Sequence, residues 1–256
     1  MPSTVFVAAV MALLGLIVGS FLAAVSVRLP RDEDIVLARS RCMSCERQLA
    51  ARHMVPVISW LVLRGRCGWC RAAISPRYLL IELAAGGLGA WAALAMAARS
   101  DASWLTVGAT AVLGWQLLLI ALIDAEHFWL PDELTWPLAG TGLIATGLMA
   151  GGVPWDQVIG AVAGFGLLWL IAWGYKRARG REGLGGGDPF LMGAVGAWVG
   201  WMGLPSVMLW ACAVGFSLVL ARLILRRRVS GADRLPFGTF LAVGAWLVWL
   251  LGPLGL

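Results

Sequence analysis

The stretch LLLIALIDAEHFWLPDELT, residues 117–135, raises the question on which the fold turns. Seven apolar residues run into Asp124, a polar turn with Pro131 follows, and apolar sequence resumes. Such a run either fills a soluble core or leaves a bilayer at the acid, and composition decides between them. The chain has 256 residues, 60% of them hydrophobic, with a mean hydropathy of +0.83. Soluble domains are usually about 45–50% apolar. Crossing the ~30 Å hydrocarbon layer takes ~20 apolar residues, and lipid offers no water to backbone groups, so each crossing must be a helix. The expected fold class is therefore an all-α polytopic membrane protein.

Eight spans are expected, near 5–27, 79–98, 104–123, 134–153, 158–175, 190–204, 206–225 and 237–252. The first has no basic residue before it and an apolar run longer than the ~7–15 residues of a signal-peptide core, so it reads as a retained helix. The domain organisation that follows is a first transmembrane helix at 1–27, a soluble-looking module at 28–77, and a membrane domain of about seven helices at 78–256.

Charge orients the spans. The loop 28–77 holds ten arginines, the loop 176–189 holds Lys176, Arg177, Arg179 and Arg181, and the segment 226–236 holds Arg226, Arg227, Arg228 and Arg234. These are alternate loops, whereas the opposite loops hold Arg99 alone; Arg222 lies near the end of a span, where it can snorkel. Basic loops face the cytoplasm, so both termini are expected on the periplasmic side. The net charge of +6 thereby reports topology, and no nucleic-acid partner is expected.

The module 28–77 is small enough to need a staple. CMSC at 42–45 and CGWC at 67–70 supply it: two CxxC pairs at this spacing make Cys42, Cys45, Cys67 and Cys70 a set of four thiolates for a tetrahedral Zn²⁺. A complete set of four protein ligands makes the metal structural. Disulfides are the rival reading, but they are rare in the cytoplasm. His53, between the pairs, reads as a substitute ligand or a surface histidine, and Cys212 as a small apolar residue within a span. No internal repeat stands out.

Two acids fall at span boundaries on the basic side. Asp124 ends the third span, and Asp188 follows the glycines of REGLGGGDPFLMG at 181–193, just before the sixth. An acid near a bilayer costs free energy unless it is paired, hydrated or used. Asp188 followed by Pro189 also reads as a helix N-cap, and Asp124 as an interfacial acid. Taken together, two carboxylates around one water form an aspartic peptidase arrangement, in which one side chain activates water and the other protonates the leaving amine. Glycines beside Asp188 would admit a substrate backbone closely. A proton-coupled transporter using membrane-edge acids and a membrane scaffold built on the zinc module are the alternatives.

The chain resembles the bacterial type IV prepilin peptidases, GxGD-type aspartic peptidases of the inner membrane. The resemblance runs through GSFLAAVSVRLPR at 19–31, VPVISWLVLRGRC at 55–67, ISPRYLLIEL at 74–83, LIDAEHFWLPDELT at 122–135, EGLGGGD at 182–188 and GAWVGW at 196–201. It implies Asp124 and Asp188 as the catalytic pair, Gly185 and Gly187 as the motif glycines, and Cys42, Cys45, Cys67 and Cys70 as zinc-type ligands. Glu126, Asp132 and Glu182 match family positions as supporting acids or loop charges. The implied activity is cleavage of the leader from prepilins or pseudopilins at the cytoplasmic face, followed in many members by methylation of the new N-terminus with S-adenosylmethionine. Ala23 stands where the family usually carries asparagine, Glu126 where it carries aspartate, and Phe190 and Leu191 where a lysine is common.

Overall fold

The computed structural model describes residues 3–35, 40–97, 99, 103–181, 183–225 and 235–255. Glu182 and the basic residues Arg226, Arg227, Arg228 and Arg234 lie outside the described residues. Among the described residues the structure is helical: α1 (Thr4–Arg28), a short α2 (Ile58–Val62), α3 (Pro76–Ala97), α4 (Trp104–His127), α5 (Asp132–Ala150), α6 (Trp155–Arg179), α7 (Asp188–Ile224) and α8 (Phe237–Leu251). The boundaries follow local chemistry. Ser3 caps α1 by accepting from the Phe6 N–H, and Asp132 and Glu133 place negative charge in the first turn of α5. Helix α6 ends with Lys176, Arg177 and Arg179 in its last turn and Gly180 in the left-handed conformation.

Among the described residues five helices, α1, α3, α4, α6 and α7, are long and apolar enough to cross a membrane. Helix α8 is apolar but has 15 residues, about 22 Å at ~1.5 Å per residue. Large apolar side chains stand exposed along the outer faces, among them Ile17, Val162 and Trp173, a surface suited to lipid.

The expected boundary between the sixth and seventh spans is corrected. Pro205, near which the turn was expected, lies inside α7, and the helix breaks instead at Gly200, with φ 70° and ψ 175°. That conformation is open essentially to glycine alone. Pro205 gives up a hydrogen bond but leaves the chain helical. An unbroken 37-residue helix would be about 55 Å long, nearly twice the ~30 Å hydrocarbon thickness, and Gly200 divides it.

The chain forms two compact units, Met1–Trp115 and Gln116–Leu256. In the first, α1 packs along α3 through small residues: Gly15 meets the Ala85 carbonyl, and a methyl group on Gly19 would fall 2.7 Å from the Glu82 Cα. Such close approach is how helices gain contact in lipid, where burial of apolar area gives no advantage. The Trp115 indole N–H donates to the Ala85 carbonyl at 2.9 Å. In the second unit α7 packs against α5, α6 and α8. Trp198 is fully buried there, donating through Nε1 to the Leu138 carbonyl at 2.8 Å and meeting Trp249 edge-on at 5.3 Å.

Gly19→Val is expected to overpack the α1–α3 seam and cost about 1–3 kcal/mol. Thermal unfolding of purified protein checks this, with Gly87→Ala as the control: no atom lies within 4 Å of a methyl placed there, and stability should be unchanged or higher.

Candidate functional site

Asp124 and Asp188 both belong to the second unit and are both buried, each 4% exposed. Asp124 lies one turn before the end of α4. Its Oδ2 accepts the backbone N–H of Thr239 at 2.6 Å and lies 3.1 Å from the Thr239 hydroxyl. That hydroxyl is also 3.0 Å from the Ala121 carbonyl, so its one proton has two acceptors. Thr239 is in the first turn of α8, where backbone N–H groups lack intrahelical partners and the helix dipole favours negative charge. Asp124 supplies that charge from 115 residues away.

Asp188 is the first residue of α7, and its Oδ2 accepts the N–H of Gly185 at 2.9 Å. The N-cap reading of Asp188 is corrected here. The N-cap position is Gly187, and the carboxylate turns back into the preceding loop, away from the free N–H groups of α7. Pro189 meets the local need of the helix start, since its missing N–H is one that would have had no partner.

One residue joins the two acids' surroundings. Leu130, buried in the turn after α4, lies against both neighbouring glycines: a methyl on Gly187 would fall 2.6 Å from Leu130 Cβ, and one on Gly238 would fall 2.8 Å from Leu130 Cδ1 and 3.0 Å from Asp124 Cγ. The turn, the GGGD loop and the start of α8 thus close around one side chain, next to both acids. Both carboxylates are held through Oδ2 by backbone N–H groups.

Gly185 faces the Asp188 carboxylate and Gly187 faces Leu130, so both serve the packing of the loop; Gly186 is the glycine that faces open space. Glu126 is exposed, 3.9 Å from His127, and Asp132 is exposed in the first turn of α5. Neither is joined by a described contact to the aspartate pair. Thr239, Gly238 and Leu130 were missed in the sequence, because nothing local marks them: a glycine and threonine at the start of an apolar run are ordinary.

The four cysteines form a second site, within the first unit. Their sulfurs all lie within 4.8 Å of one another, with Cys42 Sγ and Cys70 Sγ 3.8 Å apart, and the group can hold a metal ion. All are free thiols. The backbone repeats around the two pairs, a similarity not evident from the residues. Isolated bridges join Arg41 to Gln48 and Arg66 to Ala73, the N–H of Cys42 donates to Arg47 as that of Cys67 does to Ala72, and Glu46 and Arg71 both have positive φ. Hydrogen bonds from the backbone of Cys45 and Ser44 hold Cys42 down to about 6. Cys70 is pulled down by the Ala72 backbone, but desolvation and the other thiols outweigh this and push it up to about 11. His53 is not among the clustered ligands; it is half-buried, edge-on to Trp69.

A profile described as "Bacterial Peptidase A24 N-terminal domain" matches residues 13–96, and one described as "Type IV leader peptidase family" matches residues 111–220. Relatives named "Prepilin leader peptidase/N-methyltransferase" include one from Stutzerimonas stutzeri, 38% identical over 93% of this chain and 89% of its own length. Another, from Pseudomonas aeruginosa, is 38% identical over 94% of this chain and 89% of its own, and one from Aeromonas salmonicida is 40% identical over 87% and 76%. No solved structure matches. Thr239 lies beyond both matched regions, so its contact with Asp124 is a contribution of the structure.

Gly187→Ala is expected to force Leu130 out of place and cost about 1–3 kcal/mol, whereas Gly186→Ala, with nothing within 4 Å, should change stability by less than about 0.5 kcal/mol. Thermal unfolding of the two variants side by side tests the packing of the loop.

Proposed function

We propose, from the premise that the chain belongs to the type IV leader peptidase family, that it cuts the leader from prepilins or pseudopilins at the cytoplasmic face of the bacterial inner membrane. The observation that carries this reading is the pair of buried aspartates, each held through Oδ2 by a backbone N–H and both beside glycines that pack on Leu130. Oδ1 of one carboxylate takes a proton from the attacking water while the other carboxyl donates to the departing amine. The backbone donors fix both side chains before substrate arrives, so little reorganisation is needed as the reaction proceeds. Thr239 is a positioning residue on this reading, and Gly186 leaves room for the substrate chain beside Asp188.

The basic loops, including Lys176, Arg177, Arg179 and Arg181, favour the cytoplasmic side, and a basic leader would be cut as it emerges there. The transporter reading is weakened by position, because Asp124 and Asp188 both sit at helix ends. A scaffold reading leaves the aspartates without a role.

Cys42, Cys45, Cys67 and Cys70 fit a structural Zn²⁺. Tetrahedral coordination with Zn–S bonds of ~2.3 Å sets sulfurs about 3.8 Å apart, close to the Cys42–Cys70 separation of 3.8 Å. Four protein ligands leave no place for a reactive water. The relatives' name also carries an N-methyltransferase activity, and we extend it to the new N-terminus of the product. S-adenosylmethionine, when bound, supplies the methyl group in electrophilic form.

Asp124→Asn and Asp188→Asn are each expected to abolish cleavage of a prepilin-like peptide, read by mass spectrometry, and the double variant should be no worse than either single one. Cleavage by Asp188→Asn at near wild-type rate would remove Asp188 from the mechanism. Serine at any one of the four cysteines should release the metal and destabilise the module, measured by elemental analysis and proteolysis. Cysteine labelling of intact cells should reach a probe near residue 101 and not one near residue 179.

A further inference from the structure

The module between α1 and α3 shows a face that water does not suit. Val55, Ile58, Leu61 and Val62 are 41%, 61%, 56% and 74% exposed, a contiguous group of large apolar side chains of the kind that marks a contact surface. Ile58, Leu61 and Val62 are three and four residues apart on α2, so they share one side of its single turn. The polar groups nearby are already used inside the module: the Ser59 hydroxyl donates to the Val55 carbonyl at 2.7 Å, and the Trp60 indole N–H to the Ile74 carbonyl at 3.3 Å. Exposed arginines flank the face, Arg52 before it and Arg64 and Arg66 after it.

Glu82 fixes how deep this face lies. Its Oε2 accepts the backbone N–H of Val57, the residue before α2, at 2.7 Å. Val57 has φ 61° and ψ −54°, and the Ile58 N–H closes onto the Pro56 carbonyl at 2.6 Å, so the three residues form a γ-turn of the strained hand. A β-branched residue at positive φ is an outlier that persists only where its surroundings hold it. Glu82 is six residues beyond Pro76, about 9 Å along α3 from its start. Its Cα lies against Gly19, which is nine residues before Arg28 and so about 14 Å from the end of α1. A helical side chain leans back toward the helix start, but by no more than about one turn. Val57 therefore sits beside the first turns of α3, inside the ends of both helices. Leu80 and Leu83, 63% and 48% exposed, give α3 a lipid-suited surface at the same level.

We propose that residues 55–62 are a wedge set into the membrane interface, with Val55, Ile58, Leu61 and Val62 among the outer acyl chains and Arg52, Arg64 and Arg66 on the phosphates of anionic headgroups. An apolar face bordered by basic residues settles about 5–10 Å into the headgroup and acyl boundary, the level that the Glu82 contact gives. Arginine stems cover apolar surface while their guanidinium groups reach outward, and an anionic leaflet attracts them. A helix as short as α2 would not form alone, but here the γ-turn, Glu82 and the two flanking spans order it beforehand. The strain at Val57 thereby has a purpose: it turns the chain so that α2 lies along the membrane. Cys67 follows Arg66 directly, so the wedge also holds the cysteine module down on the bilayer. The inference is independent of leader cleavage and of methylation.

The test uses full-length, zinc-replete protein in lipid nanodiscs, with a nitroxide attached to a genetically encoded azide so that no cysteine is altered. Labels at 58, 61 and 62 should be reached readily by oxygen, which concentrates in lipid, and at least about fivefold less by a water-soluble nickel chelate than a label at the exposed Glu46. Nickel access equal to that at 46 would put the face in water and refute the wedge. Poor access for both reagents would mean that protein covers the face, from a second copy or another segment, and would refute it equally. Replacing the flanking arginines together, as Arg52→Gln, Arg64→Gln and Arg66→Gln, should raise nickel access at 62 in phosphatidylglycerol discs and leave it unchanged in phosphatidylcholine discs. The same change in both lipids, or none in either, would refute the phosphate contacts. The label at 62 replaces the most exposed of the four apolar side chains in an otherwise unaltered protein, so the wedge stays open to refutation even if the triple variant fails to fold.

Discussion

The hydrogen bond from the Thr239 N–H to Asp124 Oδ2, 2.6 Å long, is the constraint around which the second unit is organised. A buried carboxylate must find donors within the protein, and the first turn of a helix has N–H groups that must find acceptors. Each solves the other's problem. The two partners are far apart in sequence, and their meeting leaves no room for a side chain at Gly238, which lies against Leu130 and Asp124. The GGGD loop then closes on Leu130 through Gly187, which brings Asp188 to the same place. A charge-assisted bond in a medium of low polarity is strong enough to organise such packing, and its loss would leave both an acid and a helix end unsatisfied.

The same arrangement of a buried acid recurs three times. Asp124, Asp188 and Glu82 each give one carboxylate oxygen to a backbone N–H, from Thr239, Gly185 and Val57 respectively. In each case the donor lies where no helix claims it: the start of α8, a glycine loop, a γ-turn. Backbone donors are rigid, so each carboxylate is held in place. For the two aspartates that is the requirement for a group that has to bind or transfer a proton without first being ordered. The cysteine module follows a different rule, with two copies of one local turn presenting four sulfurs to a common centre.

Much of this was legible in the residues. Composition points to a membrane, the CxxC spacing identifies the four sulfurs that cluster, and the positions of Asp124 and Asp188 at span ends single them out from the other acids. Errors arose where two local rules competed. The spans expected at 190–204 and 206–225 proved to be one helix that keeps Pro205, whereas φ 70° with ψ 175° suits only a glycine such as Gly200. Asp188 before Pro189 looked like a cap, but its carboxylate had a closer donor behind it at Gly185.

What this sequence determined by itself is therefore of short range: apolar runs of spanning length, helix ends marked by Pro and Gly, charge asymmetry between loops, and ligands spaced within one or two turns. These depend on residues near one another in the chain, where composition and spacing carry the physics directly. Tertiary structure alone decided which N–H would hold each acid, that Leu130 would join the α4 turn to Gly187 and Gly238, and that Glu82, on an ordinary helix face, would hold the turn at Val57. Those outcomes depend on how helices from distant parts of the chain come to touch. A donor has no mark in the sequence that names its acceptor, so the pairing exists only once packing has brought the two within about 3 Å.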